Sequence, residues 1–233
     1  TLPILEALTS NAVTAFARVV TGVRPDWRGA EPSTRQRVYF ANHASHGDFV
    51  LIWSVLPKEL RDRTRPVAGA DYWRKGGLRR FLGEDVFKAV LIERLPENRT
   101  EDPIAQMAAA LDAGDSLILF PEGTRNMTDA PLLPFKSGLY NLAKLRPGVE
   151  LIPTWIDNIS RVLPKGEFLP LPLLCSVTFG APLHLEPDEE RTLFLHRARM
   201  ALLSLGKRAA GPTGQQAGNA DGEDASKEAG HAV

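Results

Sequence analysis

Cysteine is nearly missing from this chain: Cys175 is the only one in 233 residues. No intramolecular disulfide can form, so the fold cannot depend on oxidation, which suits a cytosolic setting. Excess charge of either sign is missing too. Lys and Arg total 28, Asp and Glu total 28, and the formal net charge is zero. A nucleic-acid partner is not expected, because a phosphate backbone selects a basic excess. No run of about 18 apolar residues occurs, so no transmembrane helix is expected. The first residues have no basic stretch and no small-residue cleavage site, so no signal peptide is expected either. A G-x-S-x-G nucleophile elbow is absent, and Cys175 lies in an apolar run that reads as a strand. A thiol buried there is expected to be inert rather than nucleophilic.

What is present suffices for one large domain with its own core. Ile4, Leu5, Leu8, Ala12, Phe16, Val19 and Val20 recur at helical spacing, with Pro3 near the start. Glu6, Ser10, Asn11, Thr14 and Arg18 fall on the other side, which predicts an amphipathic helix over 4–20. A turn-rich stretch, 22–33, follows. Strands are expected at 37–42, 66–70, 89–94, 116–120, 150–157 and 175–180. Helices are expected at 49–56, 71–81, 103–113, 136–145 and 187–205, the second weakened by Gly76-Gly77. Thr100 or Asp102 would cap the third. The run 116–120 (SLILF) shows no alternation, so it is expected to be buried on both faces.

Helices alternating with strands predict a single α/β domain with a mainly parallel sheet flanked by helices. The expected organisation is a helix and connector over 1–30, the main domain over 31–206, and a tail over 207–233. That tail is Gly, Ala, Asp, Glu, Lys and Gln with almost nothing apolar, which predicts disorder.

Two constellations carry chemistry. The first is Asn42-His43-Ala44-Ser45-His46-Gly47-Asp48, where a strand gives way to a helix. That junction is where α/β folds place their sites. A tight turn would bring the Asp48 carboxylate to one ring nitrogen of His43 and leave the other facing a substrate. The carboxylate fixes the tautomer and stabilises the imidazolium, as in hydrolase triads. Imidazole is a natural base for a hydroxyl near neutral pH. The second constellation, Phe120-Pro121-Glu122-Gly123-Thr124-Arg125, directly follows the strand expected at 116–120. A Pro-Glu-Gly turn presents polar groups, and the planar fork of Arg125 suits a phosphate.

Together these residues resemble the glycerophospholipid acyltransferase family, whose best-known members are lysophosphatidic acid acyltransferases. Asn42, His43, Ser45 and Asp48 match its N-H-x-S-x-x-D motif, and Phe120 to Arg125 match F-P-E-G-T-R at every position. Leu91-Ile92-Glu93-Arg94 resembles the motif ending in Ile-x-Arg, without its usual aromatic residue and upstream Gly. Ile152-Pro153 fits the fourth motif, and Lys136-Ser137-Gly138 resembles the Lys-x-Gly that follows the third. The similarity spans roughly 35–185.

The resemblance implies a catalytic dyad of His43 and Asp48. It implies that Glu122, Gly123, Thr124 and Arg125 bind the acceptor's glycerol phosphate, with Arg94 and Lys136 also contacting phosphate. Ser45 and Pro153 would shape the pocket. The donor would be acyl-CoA or an acyl carrier protein thioester and the acceptor a lysophospholipid, with no cofactor, no metal and no covalent acyl-enzyme. A related acceptor, glycerol 3-phosphate or another lysolipid, carries the same motifs. A rival reading is a metallohydrolase using His43, His46 and Asp48, which would need further ligands from other strands and leaves F-P-E-G-T-R unexplained.

A lipid acceptor implies contact with a membrane surface, and a peripheral protein on the cytoplasmic face is expected. Three stretches are candidates for that contact. The helix over 4–20 has only one cation, Arg18, and fits a packed helix as well as an interfacial one. The stretch 72–82 mixes Trp73, Leu78, Phe81 and Leu82 with Arg74, Lys75, Arg79 and Arg80. The third is the proline-broken apolar run 168–174.

Overall fold

The computed structural model describes residues 2–45, 47–74, 76–93, 97, 101–158 and 175–209. Its elements are α1 (Leu2–Thr21), β1 (Arg24–Trp27), β2 (Arg37–Ala41), α2 (Asp48–Val55), α3 (Lys58–Arg61), β3 (Thr64–Gly69), α4 (Ala70–Trp73) and α5 (Gly77–Arg80). A π-helical turn, Phe81–Val86, leads to β4 (Val90–Ile92). Then come α6 (Pro103–Asp112), β5 (Ser116–Leu119), α7 (Gly138–Leu145), β6 (Glu150–Asn158), β7 (Cys175–Phe179) and α8 (Arg191–Ala209).

The strands form one sheet in the order β1-β7-β6-β2-β5-β3-β4. Every pairing is parallel except β6 with β7. Its faces explain why the strands lack alternation. Tyr39, Ile118 and Ile152 lie on one side with Ile52 and Phe87; Phe40, Leu119 and Leu151 lie on the other with Leu111, Leu142 and Phe194. A sheet covered on both faces needs apolar residues at both parities. The run Leu117 to Leu119 is buried throughout. Asp102 caps α6 by accepting from the Ile104 N–H at 3.1 Å, and Pro103 follows as the first helical residue. Thr100 lies outside the described residues.

Several boundaries differ from the sequence reading. The stretch 24–27, expected as part of a turn-rich connector, is the edge strand β1. An edge tolerates Pro25, because one side of the strand has no ladder to feed. Trp27 anchors it by stacking on Phe179, centroids 3.9 Å apart. The helix expected over 71–81 is broken at Gly76, whose φ of +90° is the left-handed region. α7 begins at Gly138 rather than 136. α8 begins at Arg191 rather than 187 and runs to Ala209, taking in residues expected to start the tail. Residues 210–233 and 168–174 lie outside the described residues.

Among the described residues, no helix is long and apolar enough to cross a membrane. α1 lies against α2 with an unexpected side inward. Thr14 and Ala17 are buried, and the Arg18 guanidinium donates twice to the Ser54 carbonyl, at 3.0 and 2.7 Å. Leu5, Leu8 and Phe16 are 51%, 63% and 69% exposed. Of the apolar stripe, Leu5, Leu8, Ala12 and Phe16 therefore face outward.

Candidate active site

The site begins where β2 ends. The Asn42 side chain pairs with the Ile156 backbone of β6 as a strand would. Its amide donates to the Ile156 carbonyl at 3.0 Å, and its oxygen accepts the Ile156 N–H at 2.8 Å. This pins the exit of β2 and directs the next residue, His43, away from the sheet. The turn then closes on Asp48, the first residue of α2.

Asp48 is buried, and four donors converge on it. Oδ2 accepts from the Ala44 N–H at 2.6 Å and the Ser45 N–H at 2.8 Å, and lies 3.1 Å from His43 Nδ1. Oδ1 accepts from the Ser45 hydroxyl at 2.6 Å. Burial pushes the carboxyl upward, but the hydrogen bonds from His43, Ser45 and Ala44 outweigh it and hold Asp48 below the usual range. An ionised carboxylate only accepts, so the His43 proton sits on Nδ1 and Nε2 carries the free lone pair. The imidazole is stacked on Phe120, centroids 4.1 Å apart with the planes 18° off parallel.

The loop after β5 meets the turn after β2 through Glu122. Glu122 is only 1% exposed. Oε1 accepts the His43 N–H at 3.0 Å, and Oε2 accepts the Leu133 N–H at 2.7 Å. Burial raises its pKa, opposed by those two N–H groups and by the charges of His43 and Arg199. A further strut runs from the Asn126 N–H to the His43 carbonyl, 2.7 Å. Gly123 has a φ of +70°, and a Cβ there would fall 2.8 Å from Lys136 Cδ, so the lysine stem lies over the glycine.

A cavity of about 370 Å³ opens beside His43. Its wall is mainly apolar, with Phe49, Val67, Trp73, Ile92, Leu119 and Phe120, and it carries Arg125. Among the described residues Arg125 has no ion pair, and neither has Lys136. Trp73 fits because Gly83 has no side chain: a Cβ there would come 3.0 Å from the indole.

Of the residues picked out in the sequence, His43, Gly123 and Arg125 meet on this wall. Thr124 and Lys136 are exposed nearby in the chain but do not line the cavity. Ser45 was expected in the pocket; its hydroxyl is instead engaged with Asp48. Glu122 was expected among the phosphate contacts, yet both its oxygens are taken by backbone N–H groups. Pro153 is buried in β6 against Gly180 and does not line the cavity. Arg94 and His46 lie outside the described residues. Among the described residues no three His, Cys, Asp or Glu side chains are placed so that they could hold a metal ion.

Sequence reasoning gave no structural part to Asn42, Phe120 or Asn126. Asn42 and Phe120 stand inside the two motifs and were visible there. Asn126 carries no local signal, since its contact crosses from one loop to another.

A family profile described as Acyltransferase matches residues 24–157. A 1-acyl-sn-glycerol-3-phosphate acyltransferase of Cocos nucifera is 27% identical over 172 residues, 71% of this chain and 51% of that protein. One from Limnanthes alba is 26% identical over 168 residues, 70% of this chain and 56% of that protein. The chain thus spans about half the length of these relatives. Among solved structures, the 1-acyl-sn-glycerophosphate (LPA) acyltransferase PlsC of Thermotoga maritima is similar, with a TM-score of 0.65 at 19% identity. The match covers 90% of this chain and 83% of that one. At that identity the likeness establishes the fold alone. The profile takes in β1 through most of β6, with both motif loops, and the chain belongs to the Acyltransferase family.

Proposed function

We propose that the chain transfers a fatty acyl group from a thioester, acyl-CoA or acyl carrier protein, to the free hydroxyl of lysophosphatidic acid (1-acyl-glycerol-3-phosphate). The product is phosphatidic acid, and the reaction belongs to phospholipid biosynthesis. One observation carries this reading. One mainly apolar cavity presents an imidazole with a fixed tautomer and a guanidinium that has no ion pair among the described residues. That combination suits an amphiphile with a phosphate at one end and a hydroxyl to be deprotonated.

In the proposed reaction His43 Nε2 removes the proton as the acceptor oxygen attacks the thioester carbonyl carbon. The tetrahedral intermediate collapses, the carbon–sulfur bond breaks, and the imidazolium returns the proton to the leaving thiolate. The products are an ester and a thiol. Asp48 keeps Nδ1 protonated and stabilises the imidazolium. Ser45 and Glu122 are positioning residues, one fixing Asp48 and the other the His43 backbone. Arg125 binds the acceptor phosphate, and Gly123 lets the loop approach Lys136.

The test is acyl transfer from labelled palmitoyl-CoA to lysophosphatidic acid in detergent. Product formation by the wild-type chain is expected; none with CoA or carrier-protein donors would sink the reading. Glycerol 3-phosphate and other lysolipids, run in parallel, define the acceptor. Arg125→Ala should raise KM for lysophosphatidic acid by roughly 10- to 100-fold, the worth of one charge-assisted hydrogen bond. An unchanged KM would move the phosphate site elsewhere.

The reading also needs a membrane surface, proposed as a peripheral contact at the cytoplasmic face, and the exposed side of α1 supports the contact. Leu5, Leu8 and Phe16 point away from the protein, and Leu78 of α5 is 73% exposed. Burying such a side chain contributes roughly 1.5–3 kcal/mol. Phe16→Glu should therefore lower co-sedimentation with phospholipid vesicles while leaving turnover of detergent-dispersed substrate unchanged. Vesicle binding as strong as wild type would exclude α1 as the contact.

A further inference from the structure

A second cavity, of about 450 Å³, lies at the other end of β3. Thr64 and Arg65 at the start of that strand line it, whereas Val67 to Gly69 at the strand's end line the catalytic cavity. The polar side of α1 faces it through Glu6, Ser10 and Asn11. Phe87 lines it too, and its ring touches both Phe49 and Trp73 of the catalytic cavity, with centroids 4.9 and 6.0 Å apart. One aromatic layer separates the two spaces.

Arg61 of α3 is the anomaly there. It is only 6% exposed, its Nε is buried with no hydrogen-bond partner, and no carboxylate among the described residues pairs with it. Its guanidinium lies 5.2 Å from the Trp53 ring centroid, which holds it in place. Four carboxylates share the lining: Glu6, Asp62, Asp85 and Asp115. Asp62 is held by Lys58, and Asp115 by Arg65 at 3.2 Å. Among the described residues Glu6 and Asp85 form no ion pair. Burial pulls the Arg61 guanidinium below its usual pKa, and the Asp62 charge opposes this. A buried, unpaired charge is costly, and native proteins pair such groups.

We propose that this cavity is an oxyanion site in which Arg61 takes a phosphate group, with Lys88 as the second cation. A guanidinium presents parallel N–H donors that match tetrahedral oxyanions, and Arg61 lines the cavity. The phosphate comes either from solution or from a glycerophosphate headgroup. The inference does not rest on the acyl-transfer reading.

The test is calorimetric titration of the full chain carrying Arg125→Ala, which removes the guanidinium of the catalytic cavity. Inorganic phosphate and glycerol 3-phosphate are the probes, with acetate as control. One saturable phosphate site per chain is expected, lost in Arg61→Gln and weakened about 2- to 5-fold in Lys88→Gln. Lys88 is exposed, so the second variant answers the question should the first fail to fold. Tighter binding of glycerol 3-phosphate than of phosphate would assign a headgroup, and equal binding free phosphate. No saturable binding, or binding unchanged in both variants, would mean that water alone solvates Arg61. Acetate binding as tightly as phosphate would overturn the ligand class.

Discussion

Replacing His43 with Ala should lower kcat by roughly 10²–10⁴-fold while the chain still unfolds in one cooperative transition. Beyond its stacking on Phe120, worth about 1 kcal/mol, the imidazole supplies one of the four donors on Asp48, and the three from Ala44 and Ser45 remain. Its loss therefore separates chemistry from folding. Added imidazole should restore part of the rate, because the space left open lies on the cavity wall. Asp48→Asn should be nearly as severe, up to about 10⁴-fold, since an amide no longer enforces the Nδ1–H tautomer. It should also lower stability, because the four donors on Asp48 face a group with one acceptor oxygen. Turnover by His43→Ala within a few-fold of wild type would end the assignment of His43 as the base.

The second large effect is expected at Glu122, and there stability falls together with activity. Glu122→Ala strands two buried backbone N–H groups, those of His43 and Leu133. At roughly 1–3 kcal/mol each, the cost is about 2–6 kcal/mol. For a domain of this size that lowers Tm by on the order of 10 °C. Activity should fall through a misplaced His43, so kcat drops more than KM rises. Glu122→Gln keeps one acceptor and turns an amide N–H₂ toward a donor, so an intermediate loss is expected. A direct phosphate contact predicts the reverse pattern, with unchanged Tm and a raised KM for the acceptor. Thermal unfolding and steady-state kinetics on the same preparations decide between them.

Glu122 also shows where sequence reading stops. The motif drew attention to the residue, but a carboxylate in a Pro-Glu-Gly turn looks exposed until the loop ending at Leu133 folds over it. α1 gives the same lesson. Its periodicity located the helix and both its sides. An amphipathic helix ordinarily turns its apolar stripe inward. Here α2 offers the Ser54 carbonyl, and a polar cavity lies beside it, so Thr14 is buried, Arg18 reaches across to Ser54, and Leu5 and Leu8 face outward. β1 was hidden for a related reason: Arg-Pro-Asp-Trp has the composition of a turn and becomes a strand only beside β7.

The sequence by itself determined the α/β class, the parallel sheet, most element positions and the His43–Asp48 turn. These depend on hydrophobic period, caps and contacts five residues apart, all of which act along the chain. The tertiary structure alone decided that Glu122 is a buried brace, that Ser45 holds Asp48, which side of α1 is exposed, and that Arg61 is buried with no carboxylate partner among the described residues. Each of those is a question of burial or of a partner distant in sequence. Burial is set by what lies across the sheet or the loop, and local spacing carries no record of it.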